Sequence, residues 1–506
     1  MGDSKYVTLA ANENQALGIG RFAVDFMAGK LGQPADDVFE RVEQFHLDSI
    51  ACAVSAIALG TNAPNVLRAE AGEYPRSRAD GGVPLLGTST DVSPEKAVLA
   101  NSSAAREWDS NGTNFGYNPE RGHTRGEFGH NDFYPVAVAA AQQRKLNGEQ
   151  TLAAMILLDE IRGRLAEVFA LKDHKVDHVV HGGIASAATY GAVLGATPEQ
   201  IESAIGILVA HYIPFRAIRA GKQLSDSKGA SAAINAEAGV IAMQRAMRGF
   251  IGPADIFRNP QAIFCLFEPP AEKDSSPFDL IFSGCGSDFA VMGMHFKLGL
   301  YEHQSAGAIQ GLINLLEKNP AIVEDADAVK KISITIYEPA FSIIGDPAKR
   351  DPRTRQSADH SMVYIIATLL RKAFEQKSCS WKELMLLPAD YDDDALVHPT
   401  TRQLMERIDF RHGGEEFDSR YPDGIPTTLD IEHAQLGDLS SGLVMYPLGH
   451  ARNESKQLSD MLAHKFRLLA SLGVDDVEAL YRRFTGLRKK SAEEISALFD
   501  FELKHR

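Results

Sequence analysis

Cysteine is scarce, with four residues (Cys52, Cys265, Cys285, Cys379) in a chain of 506. They lie far apart and match no metal-ligand spacing, which argues against an iron–sulfur cluster or a Cys-type zinc site. Nor do they form a disulfide framework, as suits a reducing compartment. Long apolar runs are missing too, since no uninterrupted stretch reaches the roughly 18 residues of a membrane span. The start, MGDSKYVTLAANENQALG, lacks a basic n-region and an apolar h-region, so no signal peptide is expected. Its MGDSKY has the form of a myristoylation pattern, one too short to carry weight. The expectation is a cytoplasmic protein without a membrane partner. Positive charge is in deficit: a formal net charge of -15 argues against a nucleic-acid partner, which calls for a basic face. It leaves room for a local cluster of Arg and Lys around an anionic substrate. There is no GxxxxGK[ST], no GxGxxG between a strand and a helix and no HExxH, so no nucleotide cofactor is expected and a metal reading lacks its usual frame.

What is present is helix. The chain exceeds what one hydrophobic core usually serves, so two domains are expected. Residues 17–60 repeat apolar positions at three- and four-residue steps, with Phe22, Phe26, Val38, Val42, Phe45, Ile50 and Val54. SPEKAVLANSSAAR begins with a Ser-Pro helix start. HGGIASAATYGAVLGATPEQIESAIGILVAHY divides into two helices at Gly195, and SKGASAAINAEAGVIAMQRAMRG is a third, ended by Gly249. To about residue 260 almost no strand alternation is visible. Beyond 290 the character changes. KKISITIYEPAF alternates with Ile332, Ile334 and Ile336 on one side, and TTLDIEHAQ with GLVMYPLG reads as two strands of a hairpin or meander. The tail returns to amphipathic helices. The fold class is mainly α with an α+β second domain: a helical domain at 1–290, an α+β domain at 291–446 and returning helices at 447–506.

Three polar clusters interrupt this pattern. Residues 106–135, REWDSNGTNFGYNPERGHTRGEFGHNDFYP, place Asp109, Thr113 and His130 between two alanine-rich helices. A loop so held suits a site, and an Asp or His can act as general base, although the same composition also suits a plain surface loop. HKVDHVVHGG offers His174, Asp177, His178 and His181. These could ligate a metal on a helix face or serve as satisfied structural histidines, and Gly182-Gly183 could leave N–H groups free for an anion. FRAIRAGKQLSDSKGASA clusters Arg216, Arg219, Lys222 and Lys228, which suits a ligand with more than one carboxylate or a solvated helix connection.

LDSIACAV, REWDSNGT, GEFGH, HKVDHVVHGGIASAATYGAVLGAT, SKGASAAINA, GDPAKRDPRTRQSADHSMVYIIATLL and YPLGHARN, in that order, resemble the MmgE/PrpD family over most of the chain. The last two look like its methylcitrate-dehydratase branch. The resemblance implies a large helical domain built by both ends of the chain, a smaller α+β lid, a homodimer and an active site between the domains. It also implies lyase or isomerase chemistry on small polycarboxylates, with no metal or other cofactor. It places Asp109, Thr113, His130 and the active-site lysine Lys228 in the site. Elimination needs a base, an acid and fixed positive charge, so Asp109 and His130 are expected as the base and acid pair in unassigned order, Lys228 on a substrate carboxylate and enolate charge, and Thr113 on the substrate hydroxyl. His178, Arg219 and Lys222 are further candidates for the carboxylates. Tyr337 and His360 of the smaller domain are expected to close the site. Two departures stand out: Gly112 replaces a second acidic residue of the family's DFxDT-like run, and residues 114–126, with Arg121, His123 and Arg125, form an extended loop. Dehydration of 2-methylcitrate or a close tricarboxylate is expected, with the extended loop deciding the substrate; the alternatives are a cis-aconitate-type decarboxylase, an epimerase of a small polycarboxylate or a non-catalytic polycarboxylate-binding relative.

Overall fold

The structure, a computed structural model, describes residues 5–123, 126–219, 224–344 and 349–504. Its larger part is helical but not free of strands. β1 (Tyr6–Leu9), β2 (Val83–Pro84), β3 (Asp91–Val92) and β4 (Leu280–Ser283) form two antiparallel pairs, β1 with β4 and β2 with β3. Runs of two to four residues are too short for alternation to register in the sequence, and β1 meets its partner from the far end of the helical part.

The helices begin and end where their capping residues stand. α1 (Gln15–Met27) starts at Asn14, whose side chain accepts from Leu17 N. α2 (Asp36–Ala58) carries Asp36 and Asp37 in its first turn, where the helix dipole favours negative charge. α3 (Asn62–Gly72) and α4 (Pro94–Arg106) follow, the latter with Pro at its first position. α5 (Tyr134–Arg144) leads into α6 (Gly148–Val168), which opens on an Asn147–Gln150 capping box. α7 (Val179–Leu194) stops at Gly195, with φ 84°, and α8 (Pro198–His211) restarts on a Thr197–Gln200 capping box. α9 (Asp226–Met247) packs on α7 and α4, and α1 on α8. Among the described residues no single helix is long and apolar enough to cross a membrane.

The smaller part carries a four-stranded sheet in the order β6–β5–β7–β8, from β5 (Val329–Ile336), β6 (Ile408–His412), β7 (Thr427–His433) and β8 (Gly437–Ser440). Ile332, Ile334 and Ile336 are fully buried, as their alternation predicts. Two details differ from the sequence expectation. The partner of β7 is Gly437–Ser440, and GLVMYPLG adds only an isolated bridge from Val444 to Thr427, because the chain turns at Gly442 (φ 65°). β6 joins parallel to β5, and its IDFRH is polar because it is an edge strand. The helix Leu458–Ala470 then packs along α2, so both ends of the chain contribute to the helical part.

Candidate active site

α4 ends at Arg106, and three residues later Asp109 turns the backbone into the left-handed region, φ 50°. Few side chains other than Asp and Asn adopt that conformation readily. The turn sets the buried Asp109 carboxylate against a ring of cations. Arg106 donates to it at very short range, Lys297 Nζ lies 2.5 Å from Oδ1 and Lys228 Nζ 3.2 Å from Oδ2. His360 Nε2 lies 3.2 Å from Oδ2. Burial alone would raise the Asp109 pKa, but Arg106, Lys297 and Lys228 outweigh it and hold the carboxyl well below its usual range. Asp109 is therefore ionised and a weak proton acceptor at neutral pH.

Asp109, Thr113, His130, His178, Arg219, Lys228 and His360 line one cavity of about 190 Å³. The segment around Thr113 is held by a bridge to His295, and Lys228 stands in the first turn of α9. The buried His130 donates from Nδ1 to the Gly112 carbonyl, 3.0 Å away. A carbonyl only accepts, so Nδ1 carries the proton and Nε2 keeps its lone pair. Burial, then Arg106 and Lys297, press the His130 pKa well below that of a free imidazole, against the pull of Asp109. Asp177 binds Arg219 through both oxygens, with Nε to Oδ2 at 2.5 Å, and His178 Nδ1 lies 3.5 Å from Asp177 Oδ1. His360 bridges Asp359 and Asp109.

Three lining residues outside the sequence candidates, Arg106, Lys297 and His303, matter as much, as does Arg216 of the basic cluster. Arg106 and Lys297 flank Asp109, and Arg216 has a buried Nη1 without a partner among the described residues. His303 is buried, and neither of its ring nitrogens has a partner among the described residues. Counted over the described lining, six Arg and Lys face two carboxylates, Asp109 and Glu302. That balance and four histidines suit a small polyanion undergoing proton transfer.

Several sequence candidates are placed elsewhere. Tyr337 does not line the cavity; it is buried and stacks on Tyr421 at 4.5 Å between ring centroids. Lys222 and Arg125 lie outside the described residues. In the extended loop, Arg121 pairs with Asp288 at 2.9 Å and covers the Tyr6 ring, while His123 meets Glu167 at 3.2 Å. Neither reaches the cavity, which corrects the expectation that these residues decide the substrate. Their partners belong to the helical part, so they brace the loop. His174 pairs with Glu268 and His181 with the Phe169 carbonyl, and among the described residues no group of three or more His, Cys, Asp or Glu could hold a metal. Gly182 and Gly183 are packing residues rather than anion donors. A Cβ on Gly182 would lie 2.1 Å from the Phe133 ring, and one on Gly183 would lie 2.0 Å from Asn235. Gly112 is also steric: its Cβ would lie 2.0 Å from Asn131 and 2.5 Å from Phe45, so no acidic side chain fits there.

The two parts of the molecule are latched beside the cavity by Arg355, whose Nη2 lies 2.5 Å from Glu107 Oε1 and whose Nη1 donates to the Glu107 carbonyl. Burial lifts the Glu107 pKa to about 7, against the pull of Arg355. The folded pKa stands above the ordinary 4.5, so the native state keeps a proton that the unfolded chain has lost. Stability therefore falls as pH rises from about 4.5 to 7, by on the order of 3 kcal/mol from this group. Thermal unfolding of Glu107→Gln across that window should lack this part of the slope; parallel curves for both proteins would show that Glu107 is not its source.

Residues 21–274 match a family model described as the MmgE/PrpD N-terminal domain, and residues 301–483 one described as the MmgE/PrpD C-terminal domain. A 2-methylcitrate dehydratase of Escherichia coli is 23% identical over 431 residues, covering 83% of this chain and 84% of that protein. A cis-aconitate decarboxylase of Aspergillus terreus is 23% identical over 462 residues, 87% of this chain and 86% of that protein. An alkylcitrate dehydratase of a fungal species is 22% identical over 444 residues, 86% and 84%.

Proposed function

We propose that this chain, which belongs to the MmgE/PrpD family, is a hydro-lyase that dehydrates 2-methylcitrate or a close tricarboxylate. The observation that carries the reading is the excess of cations around a cavity that also holds a neutral, lone-pair-bearing His130. Arg216, Arg219 and Lys228 bind the substrate carboxylates, and Thr113 orients the hydroxyl that leaves. His130 Nε2 takes the proton from the carbon next to a carboxylate, and the electron pair moves towards that carboxylate, where Lys228 and Arg106 stabilise the charge. The carbon–oxygen bond then breaks, and the departing hydroxide takes a proton from the Lys297 ammonium to leave as water. Burial and then the neighbouring Arg106 outweigh Asp109 in lowering the Lys297 pKa, which makes it a stronger acid than a free lysine. The proton gained by His130 returns to Lys297 through solvent, so no proton is consumed. Asp109, ionised throughout, organises the cations and is not itself the proton carrier.

The test is the ultraviolet absorbance of a conjugated alkene when the protein is mixed with 2-methylcitrate. Neither alkene nor water loss from 2-methylcitrate or citrate would end the dehydratase reading. A second reading, decarboxylation of a cis-aconitate-like substrate, is favoured by the comparable identity to the Aspergillus terreus decarboxylase. It needs the same anion site and is recognised by carbon dioxide release from cis-aconitate.

A further inference from the structure

Outside the cavity lining, the helix Leu458–Ala470 delivers Lys465 to the back of the site, where it is completely inaccessible to solvent. Its ammonium has three donors, and each has an acceptor: the Ser110 carbonyl at 2.6 Å, the Lys297 carbonyl at 2.8 Å and Asp48 Oδ1 at 2.7 Å. Asp48, on α2, is equally buried and supplies the counter-charge. The two carbonyls belong to the segments that carry the Asp109–Lys297 pair. Ser110 directly follows the left-handed Asp109, and Lys297 is itself the partner. Ser110 Oγ adds a bond to the Gly299 carbonyl, 2.5 Å away, so the same two segments are joined again beside the ammonium.

Charge alone does not explain this arrangement. A buried ion pair contributes little net stability compared with well-packed apolar residues of the same size, so the site gains something else from it. What Lys465 supplies is a fixed separation between two backbone segments far apart in sequence. It also restrains the residue that follows the left-handed turn at Asp109. We propose that Lys465, neutralised by Asp48, is a positioning residue that sets the geometry of Asp109 against Lys297. The proposal rests on the reading of those two residues as part of the active site.

The experiment replaces the pair by apolar residues, Asp48→Leu with Lys465→Met, in the full chain. Such a replacement of a buried pair is tolerated or stabilising in general, so the fold is retained while both carbonyls lose their donor. Turnover is expected to fall about 10²-fold, as displacements of about 1 Å at a reacting group do, with a lowered melting temperature from the two carbonyls left without a donor. A second readout needs no substrate: acetylation of Lys297 by acetic anhydride as a function of pH, followed by peptide mass spectrometry. Lys297 freed from Asp109 loses the charge that stabilises its ammonium, so its labelling midpoint moves to lower pH. Wild-type turnover and an unmoved midpoint in the folded double variant would overturn the proposal. If no polycarboxylate is turned over by the wild type, the dehydratase reading fails, and the labelling midpoint alone decides on Lys465. Should the double variant fail to fold, Asp48→Asn takes its place, with smaller changes expected in the same directions and the absence of both overturning the proposal.

Discussion

Asp109→Asn should lose about 10²- to 10³-fold in turnover while binding citrate more tightly than the wild type. The substitution is conformationally mild, because Asn shares the tolerance of Asp for the left-handed backbone found at this position. Its effect is electrostatic. Arg106, Lys228 and Lys297, all buried, share the one carboxylate of Asp109. Removing its charge takes the carboxylate partner from Lys297 and leaves Arg106 to Asp132 and Lys228 to Asp359, and unfolding should become easier by about 3–5 kcal/mol, as when one partner of a buried pair is deleted. The same excess of positive charge attracts a tricarboxylate that now supplies the missing counter-charge. Citrate should therefore raise the melting temperature of the variant by more than it raises that of the wild type. Chemistry suffers because Lys297 is no longer anchored where the hydroxide leaves. Calorimetric titration with citrate, thermal unfolding with and without it, and turnover on 2-methylcitrate check the three parts. Weaker citrate binding in the variant would remove the organising role assigned to Asp109.

This expectation draws on geometry that the sequence only partly discloses. The loop at 106–135 is legible as a site because its polar density stands between two alanine-rich helices, and its ends, Asp109, Thr113 and His130, do meet in one cavity. Its middle is not legible. Arg121 and His123 look like substrate ligands in a linear reading, but their partners, Asp288 and Glu167, stand in other parts of the chain. Lys297 and His303 give almost no local signal. Lys297 stands between Phe296 and Leu298, and His303 between Glu302 and Gln304, with no motif to mark either; long-range contacts, among them the bridge from His295 to Thr113 and the bond from Ser110 Oγ to the Gly299 carbonyl, carry that stretch to Asp109. Tyr337 shows the opposite error: strand alternation places its neighbours Ile334 and Ile336 in the core but cannot say which wall the next residue joins. Helix limits were readable because their signals are local, as at Ser93-Pro94, Thr197-Pro198 and Gly195. The β1–β4 ladder was not, since nothing local to Tyr6–Leu9 points to Leu280–Ser283.

The same electrostatics make a second large effect readable through pH. An imidazole of ordinary pKa, about 6.5, would lose its base form as pH falls through that value. His130 is held well below it, first by burial and then by Arg106 and Lys297. A base with a depressed pKa keeps its lone pair to lower pH, so the acid limb of kcat/KM should lie clearly below pH 6.5 in the wild type. His130→Asn, whose amide nitrogen takes the place of Nδ1 as donor to the Gly112 carbonyl but which has no basic nitrogen, should lower turnover by about 10²- to 10⁴-fold and abolish that limb. Citrate binding should change little, because the cations at Arg216, Arg219 and Lys228 remain. Exchange of substrate carbon-bound hydrogen with deuterated solvent isolates the step itself, since it reports proton abstraction whether or not hydroxide then leaves. Loss of exchange together with loss of turnover places His130 at the carbon. Exchange that persists at the wild-type rate while alkene formation stops would move His130 to the leaving oxygen and return the base to another of the cavity's histidines, with His303, its ring nitrogens unpartnered among the described residues, first among them.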